Sequence, residues 1–207
     1  MLSYLYLFIS VVTAYLVGSF PTSYIIAKYK KGFDIRHVGS QNAGATNVFR
    51  SVGKAAGLVT LLCDILKGFL VVTVIANFFS SLDLPLVDDF YRPMIGLVTV
   101  CGHVWPVFLQ FRGGKGVATT IGVGLGLAPY TVMVCVVIWI GVFMLTKYVS
   151  LASIISLIAF PVIAAITGAH VYLIIFSVAI CSLSIYKHKS NIVRLANGTE
   201  NRISIFK

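Results

Sequence analysis

Four long stretches of this chain carry no charged side chain: residues 1–27, 93–111, 116–146 and 148–186. A fifth apolar stretch, 55–82, holds only Asp64 and Lys67. Crossing a hydrocarbon core of about 30 Å takes about 20 helical residues, and runs of this length have few other uses. A water-soluble domain carries about 25% charged residues. This chain carries 11%, against 58% hydrophobic residues. A soluble globule, a coiled coil and intrinsic disorder are excluded, and an all-α, polytopic integral membrane protein is expected.

The spans follow from these runs. The 148–186 stretch holds 39 residues, enough for two passes, with Gly168 at the turn. The 31 residues of 116–146 would make a helix of about 46 Å, too long for one upright span. Ala128-Pro129 lies near its middle, and a proline tends to end the helix before it. Basic residues precede and follow this run, so two short passes or one re-entrant hairpin satisfy the positive-inside rule. About seven transmembrane helices are predicted, two of them short: near 3–27, 56–80, 91–111, 115–127, 130–146, 150–167 and 170–186. They are read as one transmembrane domain over 1–207. The uncharged N-terminal segment lacks the basic n-region of a cleaved signal peptide and is read as a retained span.

Charge orients the set. The net charge is +10. Fourteen of the sixteen basic residues fall in the 28–54 loop, around 112–115, at Lys147 and in the 187–207 tail. Asp83, Asp88 and Asp89 fall on the opposite side. An N-terminus outside and a C-terminus inside fits that split. Topology is the first explanation of the charge and an anionic substrate or lipid the second, and no nucleic-acid partner is expected. The four cysteines are widely spaced within apolar stretches, without metal-ligand spacing, and no metal or other cofactor is expected. Gly122-xxx-Gly126 reads as a close helix contact.

Three cytoplasmic segments are too glycine-rich and polar to be plain connectors. In Asp34–Arg50, Gly39, Ser40, Asn42, Gly44, Thr46 and Asn47 combine tight turns with neutral donors, and Arg36 and Arg50 add cations. Such a nest suits phosphate oxygens. In the second, a span ends at Arg112-Gly113-Gly114-Lys115-Gly116 and a helix begins. Amides, a helix N-terminus and a lysine converge there, as a phosphate seat requires, although a flexible basic turn would look the same. No Walker A pattern is present. In the third, His188, Asn191 and Arg194 recur at three-residue spacing and could share a helix face. Glu200, the only glutamate, reads as a pairing partner rather than a base. Asp64 and Lys67 read as a structural pair within a span. His103 fits helix packing and an active-site role about equally.

Gly18-Ser19-Phe20-Pro21-Thr22-Ser23-Tyr24, the Asp34–Arg50 segment, Phe111–Thr119 and Asn191–Glu200 together resemble the acyl-phosphate:glycerol-3-phosphate acyltransferase (PlsY) family of bacterial membranes. The resemblance covers essentially the whole chain. It implies a seven-helix fold in the cell (inner) membrane with the active site facing the cytoplasm. It also implies transfer of an acyl chain from acyl phosphate to the 1-hydroxyl of sn-glycerol 3-phosphate. The products would be lysophosphatidic acid and phosphate, and the partners glycerol 3-phosphate, acyl phosphate and membrane lipids, with the chain active as a monomer. By resemblance, Ser40, Arg50, Lys115, Ser153, His188 and Asn191 match catalytic positions. Gly113, Gly114 and Gly116 match the phosphate-binding loop, with Gly39, Asn42 and Arg112 expected to bind phosphate as well. Glu200 matches a position of structural importance. The chain departs from the family at Gln41, where glycine is usual, at Ala43 and at Arg112.

No carboxylate is placed to act as base, so a substrate phosphate is expected to accept the hydroxyl proton. Arg50, Lys115 and His188 would compensate the charge. Ser40, Asn191 or backbone amides would serve the oxyanion. The rival class is an organic-anion or phosphate carrier, which would show flux without conversion; the internal repeats common in carriers are not evident. A lipid-binding structural protein would explain the charge but not the clustered glycines.

Overall fold

The computed structural model describes residues 1–203, and Lys207 of the basic tail lies outside them. All regular structure among the described residues is helical. The chain divides into two compact units, Met1–Leu127 and Ala128 onward.

In the first unit, α1 (Leu2–Ser19) and α2 (Thr22–Lys31) form one apolar stretch broken at Phe20-Pro21. Proline has no N–H and disfavours helical geometry in the residue before it, and Phe20 accordingly sits at ψ 120°. Gly32, at φ 75°, ends α2. A short turn, Ile35–His37, leads to α3 (Ala45–Ser51). Next, α4 (Lys54–Leu70) runs through a π-helical turn at Val71–Ile75 into α5 (Ala76–Ser80), making one 27-residue span. α6 (Asp88–Val104) is followed by α7 (Val117–Leu127).

Glycines decide how these helices pair. Gly18 of α1 lies against the Thr99 backbone of α6, and Gly102 of α6 against the Tyr15 carbonyl. Gly122 of α7 lies against the Ile65 carbonyl of α4, and Gly126 against Val72 and Thr73. A Cβ at Gly18, Gly102 or Gly122 would overlap backbone, so only glycine permits these crossings. Ala14, Val71, Ala76, Phe79, Tyr91 and Ile95 form the apolar core of this unit. Leu58, Leu62 and Leu66, on the far side of α4, are exposed, as expected of a surface solvated by lipid.

In the second unit, α8 (Pro129–Thr146) opens with proline at its first position, where a missing N–H costs nothing. It packs against α9 (Val149–Ile166), and α9 against α10 (Val171–Lys187). The α9–α10 turn has Gly168 at φ 69°, where the sequence placed it. α11 (Lys189–Ala196) bends 61° away from α10.

The helical segments fall where the charge-free runs predict, with two differences. The first is not one helix but two, broken at Pro21. The fourth, α7, has 11 residues and rises about 16 Å, about half the hydrocarbon thickness. Among the described residues, five helical stretches are long and apolar enough to cross a membrane, or six if α10 and α11 count as one bent span.

Candidate functional site

The glycine-rich loop of the first unit is organised by a residue that the sequence reading counts only among its neutral donors. Asn47, on the first turn of α3, is 1% exposed. Its amide nitrogen donates to the carbonyls of Ile35 (3.1 Å), Val38 (2.9 Å) and Asn42 (3.1 Å). Its carbonyl oxygen accepts from the Ser40 amide at 3.1 Å and the Ser51 hydroxyl at 3.3 Å. One buried side chain thus closes the loop that presents Ser40 and Gly39. Gly39 (φ 61°) and Gln41 (φ 58°) both take the left-handed conformation, which costs glycine little and other residues more. Ser40 and Arg50 are exposed and Asn42 is half-buried.

Arg36, which the sequence offers as one of the cations of this loop, is engaged within the protein. Its guanidinium grips Asp34 (Nη2–Oδ2 2.7 Å) and donates to the Leu109 carbonyl at 2.8 Å. Hydrogen bonding from Arg36 holds the Asp34 carboxyl below its usual range, against a smaller opposing effect of burial. The pair ties the loop to the turn after α6.

The second segment is a compact turn. After Pro106, Gln110 and Phe111 are both left-handed, which reverses the chain. The Gly113 and Gly114 amides then donate to the carbonyls of Val104 (3.3 Å) and His103 (3.1 Å), at the end of α6. Gly116 (φ 85°) makes the last bend, and its carbonyl accepts from the Thr120 amide of α7. Lys115 is half-buried between two buried glycines, and Arg112 is exposed.

A small cleft of this unit is lined by the Gly18–Ser23 break, Asp64, His103, Gly113 and Gly114. Asp64 and His103 line it, and Lys67 joins them behind it. Lys67 Nζ lies 2.8 Å from Asp64 Oδ1, 2.9 Å from His103 Nδ1 and 3.3 Å from the Phe20 carbonyl. All three side chains are buried. The Asp64–Lys67 pair was legible at its three-residue spacing. The arrival of His103, 36 residues further on, was not.

The second unit holds its own polar cluster. Glu200 accepts from the Ser150 hydroxyl (3.0 Å), the Asn191 amide (2.8 Å) and Arg194 Nε (2.7 Å). It therefore pairs, and it ties α9 to α11. Burial raises the Glu200 pKa, but the three hydrogen bonds and the Arg194 charge together outweigh it, so the carboxyl sits below its ordinary value. His188 is buried at the α10–α11 bend with Nδ1 2.8 Å from the Ser184 carbonyl, which makes Nδ1 the protonated nitrogen. Ser153 is buried, donates to the Val149 carbonyl at 2.8 Å and accepts from Trp139 Nε1 at 3.1 Å.

Residues 8–198 match the family model for glycerol-3-phosphate acyltransferase. The chain is 43% identical over 200 residues to a glycerol-3-phosphate acyltransferase of Endomicrobium trichonymphae, covering 95% of this chain and 96% of that one. It is 40% identical over 192 residues to the Aquifex aeolicus protein of the same description, covering 93% and 96%. A crystal structure of PlsY (YgiH), an integral membrane glycerol 3-phosphate acyltransferase in its glycerol 3-phosphate form, superposes with a TM-score of 0.88 at 37% identity. That match covers 97% of this chain and 99% of the other. The lysophosphatidic acid form gives 0.84 at 36% identity, covering 96% and 95%. A membrane-embedded helical transferase is the class these findings define. The chain belongs to the glycerol-3-phosphate acyltransferase family, which sets aside the carrier reading.

Proposed function

We propose that the chain moves an acyl group from acyl phosphate to the 1-hydroxyl of sn-glycerol 3-phosphate, without a metal. The observation that carries this is the Gly113–Gly116 turn, which sets Lys115 and the start of α7 together at the end of α6. That arrangement suits a phosphate dianion. The similar structures are described as glycerol 3-phosphate and lysophosphatidic acid forms, which supports the acceptor and the product.

The substrate hydroxyl oxygen attacks the acyl carbonyl carbon and forms the new ester bond. The bond from that carbon to the phosphate oxygen breaks, and inorganic phosphate leaves with the electron pair. The hydroxyl proton passes to a substrate phosphate oxygen, a role supported by the lack of a poised carboxylate. Asp34, Asp64 and Glu200 are each committed to a cation. In the first unit, Arg50 and Lys115 compensate phosphate charge, Gly39, Asn42, Arg112 and the glycine turn hold phosphate oxygens, and Ser40 donates to the oxyanion. In the second, His188, Asn191 and Ser153 are the proposed contributors. The whole chain acts as a single domain and a monomer, with N-terminus out, C-terminus in and these polar segments facing the cytoplasm. The clustering of fourteen basic residues supports that orientation.

The test uses purified protein in lipid with glycerol 3-phosphate and either palmitoyl phosphate or palmitoyl-CoA. Lysophosphatidic acid from acyl phosphate alone is expected. Product from acyl-CoA alone would overturn the donor assignment. Near-normal turnover in Arg50→Ala and Lys115→Ala would overturn the charge clamp.

A further inference from the structure

The Asp64–Lys67–His103 cluster has no part in the chemistry above, yet it buries a carboxylate and an ammonium within membrane helices. Such groups are costly there and are seldom kept without a use. A charged lysine has three N–H donors and no acceptor. Lys67 has three acceptors in reach: Asp64 Oδ1, the Phe20 carbonyl and His103 Nδ1. His103 Nδ1 must then be the accepting nitrogen, which makes the ring neutral with its proton on Nε2. That Nε2 packs directly on Gly114, where even a methyl group would overlap it. The His103 backbone carbonyl meanwhile receives the Gly114 amide at 3.1 Å. His103 therefore fixes Gly114 from two sides, and Lys115 is the next residue.

We propose that Asp64, Lys67 and His103 are positioning residues. Asp64 holds Lys67, Lys67 sets the tautomer and orientation of His103, and His103 holds the Gly113–Gly116 turn in its phosphate-binding form. This rests on the reading of that turn as a phosphate seat. The requirement is for a polar side chain at 103 that accepts from Lys67 and donates toward the turn, not for apolar packing at that point.

The experiment compares His103→Leu, His103→Gln and the charge-neutral double variant Asp64→Asn/Lys67→Met with Lys115→Ala, all in the lipid-reconstituted full chain. KM for both phosphate substrates, kcat and thermal midpoint are measured. His103→Leu and the double variant should raise KM for at least one phosphate substrate by about tenfold or more, with kcat falling less. His103→Gln, whose amide can accept from Lys67 and donate toward the turn, should stay within about threefold of wild type. Folded His103→Leu with unchanged KM for both substrates would overturn the inference while Lys115→Ala remains impaired. An unimpaired Lys115→Ala would overturn the phosphate seat itself and the inference with it. If the leucine variant does not fold, imidazole 15N shifts of the wild type decide, with the signal assigned by its loss in His103→Gln. An Nε2–H tautomer that shifts on adding glycerol 3-phosphate is expected. An Nδ1–H tautomer refutes the arrangement.

Discussion

Replacing Asn47 with alanine should open the Ser40 loop without unfolding the membrane helices. The side chain supplies two N–H donors, shared among three carbonyls, and accepts two further bonds. At roughly 1 kcal/mol net for each of four bonds, the loss is about 4 kcal/mol. Exposure of Ser40 lets water replace part of it, whereas the fully buried Ile35 offers water no such access. The loop has its own small apolar cluster beneath it, including Ile35, Ala43, Val48 and Leu109, and is not part of the span core. The cost should therefore appear as local opening. Amide hydrogen exchange reads it best at Val38 and Gln41, whose N–H groups bond to Ile35 and Val38 rather than to Asn47. A loss of about 4 kcal/mol corresponds to protection falling by roughly three orders of magnitude, at 1.4 kcal/mol per tenfold. Amides of the Lys54–Ser80 span should be unchanged. Asn47→Asp keeps the accepting oxygen but faces three carbonyls without an N–H, so it should be at least as damaging. Wild-type protection at residues 38–41 in folded Asn47→Ala would refute the reasoning. A silent Asn47→Asp would show that the three carbonyl bonds contribute little.

Further outcomes follow from the same geometry. Gly122→Leu, which drives side-chain atoms into the α4 backbone, should cost several kcal/mol or prevent folding, beyond the roughly 1–3 of ordinary overpacking. Gly141→Ala, with open space around it on α8, should be neutral or stabilising by up to about 1 kcal/mol; thermal midpoints in detergent compare the two. Gln41→Gly should preserve activity and shift stability by no more than about 1 kcal/mol, since relief of the left-handed strain and the added backbone entropy oppose each other. The lowered Glu200 pKa means the folded state holds its proton less tightly than the unfolded chain. Its stabilisation is therefore present above the ordinary value of 4.5 and is lost as pH falls from there through the lower folded value. The stability gap between wild type and Glu200→Gln, followed by melting between pH 7 and 3, should narrow below about 4.5; a gap independent of pH would contradict this.

Much of the site was legible because its signals are local. The turn at Gly168 and the Gly-Gly-Lys-Gly turn are decided within a few residues of backbone, so the sequence places them, whereas the charge-free run reads through the break at Pro21 as one span. The missed features share the opposite property. Asn47 looks like one more polar residue in a polar loop, and only the folded loop turns five partners toward it. Arg36 reads as one more loop cation, and only the fold shows it gripping Asp34 and the Leu109 carbonyl. Near 116–146, charge parity demanded an even number of passes, but it cannot measure that α7 stops after 11 residues.

The sequence alone determined the solvent, the class and the family of this protein. Long uncharged runs have only lipid to face, and side-chain charge at their ends sorts by the energetics of membrane insertion. These are additive properties of residues near one another in the chain. Tertiary structure alone decided which helices touch and what their contacts enclose. Gly18 and Gly122 became crossing points only when α6 and α4 lay against them. Likewise, His103 joined Asp64 and Lys67 only because α4 and α6 meet behind the glycine turn. Such contacts depend on a few ångströms of separation between distant segments, which the packing of whole helices sets.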